Sequence, residues 1–217
     1  MSLITLSASA PPTPTVSEQL DRLVALGLPE VAGISPEELR SHAAGLRGRA
    51  DSVLVVNPCI APPSALATLL MRESKRGFVV DDFTDLDDFV PLDGLALPDA
   101  PLYLVHGIER GDDLANLSPD EALPLLRARE RRPLTVSEGI SWLLQQPDAL
   151  QPNHCFMTIG SRRGSAKNPG TLDARTPAIW ISGGTGRDGR RRRGAPKVGW
   201  CWAGNRHTWL GFASTPA

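Results

Sequence analysis

Apolar residues recur at helical spacing in two stretches of the chain. Val16, Leu20, Leu23 and Val24 share one face of a helix predicted over 16–26, with Gly27 to stop it. Val136, Ile140, Leu143 and Leu144 repeat the spacing over 136–146, ahead of Pro147. A hydroxyl residue followed three positions later by glutamate marks four helix starts: Thr15–Glu18, Ser35–Glu38, Ser118–Glu121 and Thr135–Glu138. In such a capping box the hydroxyl accepts a free N–H of the first turn while the glutamate reaches back to the cap. SPEE and SPDE add proline at the first helical position, where its missing N–H costs nothing. Pro124 removes one main-chain bond from the helix opening at Ser118, which predicts a short or kinked element. A further helix is predicted over 64–72, after Pro62 and Pro63.

Runs rich in β-branched residues predict brief strands at Ser52–Val56, Phe78–Val80 and Leu102–Val105. Beyond residue 150 the pattern changes. CFMTIGS, AIWIS, KVGWCW and HTWLGF alternate with turns rich in Gly, Pro and Ser, as strands of an antiparallel sheet would. The reading is α+β: N-terminal helices with short strands, followed by a C-terminal antiparallel β-sheet. Residues 1–14 read as a mobile tail. Residues 15–217 read as a single domain, with an acidic helical part over 15–150 and a basic β-rich part over 151–217.

Charge sharpens that division. Residues 1–150 hold 12 Lys and Arg against 22 Asp and Glu, net −10, whereas residues 151–217 hold 11 against 2, net +9. Either the two parts attract each other, or the basic part meets an anion. Cys59, Cys155 and Cys201 are odd in number, with no CxxC pair, the usage of reduced intracellular thiols. The N-terminus lacks the positive region and apolar length of a signal peptide, and no stretch has the length of a membrane span. A cytoplasmic location follows.

Candidate chemistry is concentrated in the basic part. GSRRGSAKNPGTLDARTP and SGGTGRDGRRRRGAPK match neither the P-loop nor GxGxxG, so no cofactor class is indicated. They read as solvated loops, with nucleic-acid contact through Arg190–Arg193 as the alternative. The acidic run DDFTDLDDF lacks the pattern of a calcium loop and reads as a solvated turn facing the basic part. The histidines show no paired ligand spacing, and no metal site is assigned.

In GWCWAGNRHTWLGF, Gly204-Asn205 predicts a two-residue hairpin turn. Trp202 then faces His207 and Trp200 faces Trp209, so Val198, Trp200, Trp202, His207 and Trp209 form one aromatic stripe. Cys201 falls on the other face. A three-residue loop would instead put Cys201 and His207 on the same side. The stripe is either packed core or one wall of a pocket for a flat or cationic small molecule.

GAPKVGWCWAGNRHTWLGFAS (194–214), with SEGI (137–140), CFMTIGSR (155–162) and PAIWIS (177–182), resembles an actinobacterial family of unknown function. Its members end in GAPK-x-GWCWAGN-x-HTWLG-x-AS. The resemblance covers the chain from about residue 16 and implies no reaction; this chain departs from it around 163–176 and 183–193. Joined to the reading above, it gives a ligand-binding site, with or without catalysis, on the C-terminal sheet. His207 and Cys201 are its candidate catalytic residues; Arg162, Trp180, Lys197, Trp200, Trp202, Asn205 and Trp209 are its candidate ligand contacts. The partner is a small anionic or aromatic molecule; the alternative is an interaction module whose Arg-rich loops bind protein or nucleic acid.

Overall fold

The computed structural model describes residues 14–217, so the tail expected over 1–14 lies, except for Pro14, outside the described residues. In chain order the elements are α1 (Val16–Ala25), α2 (Leu28–Ala32), α3 (Pro36–Ala43), β1 (Val53–Val56), α4 (Pro63–Ala67), β2 (Met71–Arg72), β3 (Lys75–Arg76), β4 (Phe78–Val79), β5 (Val90–Pro91) and β6 (Leu102–Val105). There follow α5 (Pro119–Ala128), β7 (Arg131–Pro133), α6 (Val136–Gln145), β8 (Cys155–Met157), β9 (Ser161–Arg162), β10 (Arg175–Ile181), β11 (Pro196–Trp202), β12 (Leu210–Phe212) and β13 (Ser214–Pro216).

The expected α+β class is the observed one, and the capping sequences do what their chemistry dictates. Thr15, Ser118 and Thr135 close complete boxes with Glu18, Glu121 and Glu138. At Ser35 the hydroxyl accepts the Glu38 N–H, while the returning glutamate bond is not made. α5 runs on past Pro124 to Ala128, so the lost bond does not end it. The helix expected over 64–72 is shorter. It stops after Ala67, where the Thr68 hydroxyl turns back to the Ala65 carbonyl at 2.7 Å and competes with the helical ladder. Beyond it the chain reverses, with Glu73 at positive φ, and β2 pairs with β3.

The main sheet has five strands in the order β12-β8-β10-β11-β4. Its inner ladders, β8 with β10 and β10 with β11, are antiparallel, and its two outer ladders are parallel. The hairpin expected at Gly204-Asn205 is therefore not formed. A turn is present, with the Asn205 N–H donating to the Trp202 carbonyl at 3.0 Å, but the strands flanking it do not pair. Both edges of β11 are occupied, by β10 and β4, and β12 lies across the sheet against β8. The main-chain groups between them go elsewhere: the Ala203 N–H to Ala174, and the His207 carbonyl to the Asn116 N–H. A local turn signal does not choose a strand's partner once other segments satisfy its hydrogen bonds.

Every residue of α6 is buried, and this helix packs on the sheet face that carries Phe156 and Ile179. The fit is close at Gly139, where a Cβ would stand 2.5 Å from the Thr158 methyl. The Trp142 and Phe156 rings meet at 5.0 Å. The acidic run folds with Phe83, Leu86 and Phe89 inward; Asp87 turns to the Ser64 N–H and hydroxyl in α4, and the other carboxylates face the basic part. There Asp81 pairs with Arg192, Asp82 with Arg187, and Asp85 with Arg163 and Arg175. The two oppositely charged parts thus hold each other.

Candidate functional site

The β10–β11 ladder sets Arg175 opposite Trp202, Thr176 opposite Cys201, Pro177 opposite Trp200 and Trp180 opposite Lys197. Because side chains alternate between faces, this sorts the candidate residues into two groups. Trp200 and Trp202 share a face with Arg175 and meet edge to face at 4.7 Å. Trp180, Lys197, Thr176 and Cys201 occupy the other face. The single stripe expected from a hairpin is accordingly split, and His207 and Trp209 join the second group instead.

On the first face the Arg175 guanidinium lies 5.8 Å from the Phe83 ring centre, 5.4 Å from Phe89 and 6.0 Å from Trp200. It donates in a fork to Asp85 at 2.9 and 2.7 Å and to Asp173 at 2.7 Å. Its hydrogen bonds hold both carboxyls below the usual range. This is a fastening between the acidic run and the sheet, and the sequence reading missed it. A DxR pair, Asp173 and Arg175, ahead of the strand was its signal. Trp202 is 48% exposed at the rim.

On the second face Gly199 makes room for the Trp180 indole; a Cβ there would stand 2.4 Å from the ring. Lys197 sits 5.0 Å from the same ring centre, with its ammonium held by both oxygens of Asp188 at 2.9 and 2.8 Å. Burial pushes the Asp188 carboxyl up, but the hydrogen bonds from Lys197 and Ser182 outweigh it and keep the group below its ordinary value. Trp209 meets Trp180 edge to face at 6.3 Å and His207 at 5.5 Å, giving a run of rings from His207 to Trp180. Burial lowers the His207 imidazole below its ordinary value. Burial also pushes the Cys201 thiol up to about 11, against a smaller opposing effect of Lys197. Asn205 is exposed in the turn.

Buried polar atoms are nearly always hydrogen-bonded, so those that are not call for explanation. Among the described residues Arg162 Nε, Thr176 Oγ1, His207 Nε2 and Gln145 Oε1 are buried without a partner. The first three belong to segments bound to one another. Arg162 donates to the Asp173 carbonyl at 2.9 Å, Thr176 faces Cys201, and the connection from Ala203 to Trp209 bonds to Ala174, Asn116 and Asp120. Arg162 is 7% exposed and has no carboxylate within ion-pair distance among the described residues. Burial lowers its affinity for the proton, and only the more distant charges of Asp120 and Asp173 oppose this. Of the residues named from the sequence, the structure brings together Trp180, Lys197 and Cys201 on one face and carries His207 and Trp209 to it. Trp200, Trp202 and Asn205 lie apart from that group.

An α+β protein with a mixed five-stranded sheet, an internal arginine and a run of aromatic rings is the class these features define. The chain belongs to a family of unknown function, DUF5701, whose model matches residues 22–217. No curated protein and no solved structure matches it. Among the described residues no helix is long and apolar enough to cross a membrane.

Proposed function

We propose that this protein binds a small anionic molecule with a flat or aromatic body at the C-terminal sheet. The observation that carries the reading is Arg162, a buried cation without a carboxylate partner among the described residues. Leaving a charge buried and uncompensated costs several kcal/mol in round terms, about 3–5, unless an anion completes it. Arg162 is the anion anchor, Thr176 and His207 supply hydrogen-bonding atoms, and Trp180 and Trp209 flank the flat body. Lys197, engaged with Asp188, fixes the Trp180 ring rather than gripping the ligand. Cys201 acts as a neutral thiol contact, and any proton transfer falls to the His207 imidazole. Trp200, Trp202 and Asn205 are outside this reading of the site.

Residues 15–217 act here as one domain, joined across its acidic and basic parts by the ion pairs described. Its free Cys59, Cys155 and Cys201 support a cytoplasmic setting. Nucleic-acid or protein binding by the Arg-rich loops has less support, because Arg187 and Arg192 already face carboxylates and Arg192 also covers the Phe78 ring at 4.4 Å.

Thermal shift with benzoate, phenyl phosphate and inorganic phosphate tests it. Stabilisation of the wild type by an aromatic anion, weakened about tenfold or more in Arg162→Lys and Trp209→Phe, is the expected result. No stabilisation of the wild type by any of the three anions, or full retention in Arg162→Lys, overturns it.

A further inference from the structure

The fourth unpartnered atom stands elsewhere. A groove of about 730 Å³ opens between α1, β1 and the C-terminal turn of α6, within the size range of small-molecule sites. Trp142, Val53, Ile108 and Ala149 give it an apolar wall, and Gln145 lies among its lining residues. The neighbouring Gln19 shows what a satisfied buried amide looks like here. It donates to the carbonyls of Pro14 and Ser52 at 2.7 and 2.8 Å and accepts the Leu54 N–H at 2.7 Å. Gln145 uses only its donor side, toward the Gln19 carbonyl at 3.2 Å. Its Oε1 is left without a partner among the described residues, although the side chain is 3% exposed.

We infer that this groove is a second ligand site, for a neutral molecule with a flat or apolar body that presents an N–H donor to Gln145 Oε1. Carboxamides, lactams and nucleobases have that chemistry. The charged residues lining the groove, Arg22, Asp51, Arg110 and Asp148, sum to zero. Arg110 is forked onto Asp112, Arg22 caps the Leu144 carbonyl at 2.6 Å, and Asp51 holds the Gly107 N–H and Arg49. Arg22 and Asp148 have no ion pair among the described residues but are opposite in sign, so no net charge of the lining selects an ion, while the C-terminal end of α6 carries partial negative charge that favours an N–H donor. The Trp142 N–H is spent on Gln146 at 2.9 Å, so its ring offers apolar surface alone. The groove shares no residue with the anion site, and the two readings stand independently.

The test uses the full chain labelled with ¹⁵N-glutamine, titrated with benzamide and with methyl benzoate, which has the same ring but no N–H. Benzamide moves the Gln145 side-chain resonances saturably in the millimolar range, and methyl benzoate binds about tenfold more weakly, the factor for one good hydrogen bond. Gln145→Met keeps the length, loses the acceptor and abolishes the preference. Absence of a saturable benzamide shift, equal binding of the two compounds, or an unchanged preference in Gln145→Met each overturns the inference. The wild-type comparison of the two probes decides it even where Gln145→Met fails to fold.

Discussion

Glu138→Gln is a sharp perturbation because it changes one charge and almost no volume. Glu138 is fully buried at the start of α6 and closes its capping box. Its Oε2 accepts from Arg132 Nη1 at 3.0 Å and the Thr135 N–H at 2.8 Å; its Oε1 accepts from Arg132 Nη2 at 2.7 Å and the Tyr103 hydroxyl at 3.3 Å. Both oxygens face donors only. An amide nitrogen at either position points hydrogens at hydrogens, and Arg132, whose side chain is 17% exposed, keeps its charge without a counter-ion. Breaking a buried pair in this way costs about 3–5 kcal/mol. That is a large part of a typical stability of roughly 5–15 kcal/mol. For a chain of this size the melting temperature falls by roughly 6–20 °C. Urea denaturation of Glu138→Gln, Arg132→Met and the double variant measures the coupling. The double variant is expected to recover about 2 kcal/mol or more relative to the sum of the singles, since it leaves no orphaned charge. A Glu138→Gln loss below about 1 kcal/mol, or strict additivity, would refute the reasoning.

Three other outcomes follow from the same geometry. Arg175→Met removes a fork onto two carboxylates and the cover over Phe83 and Phe89, and is expected to cost about 2–4 kcal/mol, with Arg175→Lys intermediate; equal stability of Lys and Met variants in urea would contradict the importance of the fork. His207 has a folded-state pKa below its unfolded value, so the unfolded chain binds the extra proton and stability falls as pH drops from about 6.5 toward the folded pKa. Against wild type, His207→Gln flattens that part of the pH–stability curve, and an NMR titration of His207 at or above the ordinary value would sink the claim. Cys201, pushed up to about 11, is expected to alkylate at pH 7.5 at least about tenfold more slowly than the exposed Cys59, as peptide mapping of the labelled chain would read.

The helices were legible because their signals are local. Thr135 and Glu138 are three residues apart, and a capping box needs nothing more distant. The strands were legible as strands for the same reason, and β6 has the predicted bounds. Partnership was not. Nothing within GWCWAGNRHTWLGF records that β11 is flanked by β10 and β4, or that the Ala203 N–H is taken by Ala174. The site inherited that error: with the hairpin gone, Trp200 and Trp202 went to the Arg175 face while Trp209 found Trp180. Thr176 escaped notice because its role arises only from register, and Arg175 because half of its fork goes to Asp85, 90 residues away, although Asp173 stood two residues before it; Asp188 meets Lys197 only once the loop between them folds back. Arg162 was named for its charge, but the lack of a counter-ion for it among the described residues is a property of the fold alone.

The way residues 210–216 are threaded bears on how the chain reaches its native state. β12 lies along β8, and β13 pairs Ser214–Pro216 with Arg131–Pro133, immediately before the α6 cap. The start of the most buried helix is therefore tied down by residues made about 80 positions later. Contacts of such long sequence separation close slowly, because the loop entropy is spent before the pairing returns it. A growing chain can form the first turn of α6 early but cannot finish its surroundings until β12 and β13 have emerged. Until then the edge of β8 and the buried Phe156 and Met157 stand open to wrong partners. This topology predicts a late and cooperative closure, with the aggregation risk concentrated in the interval before it.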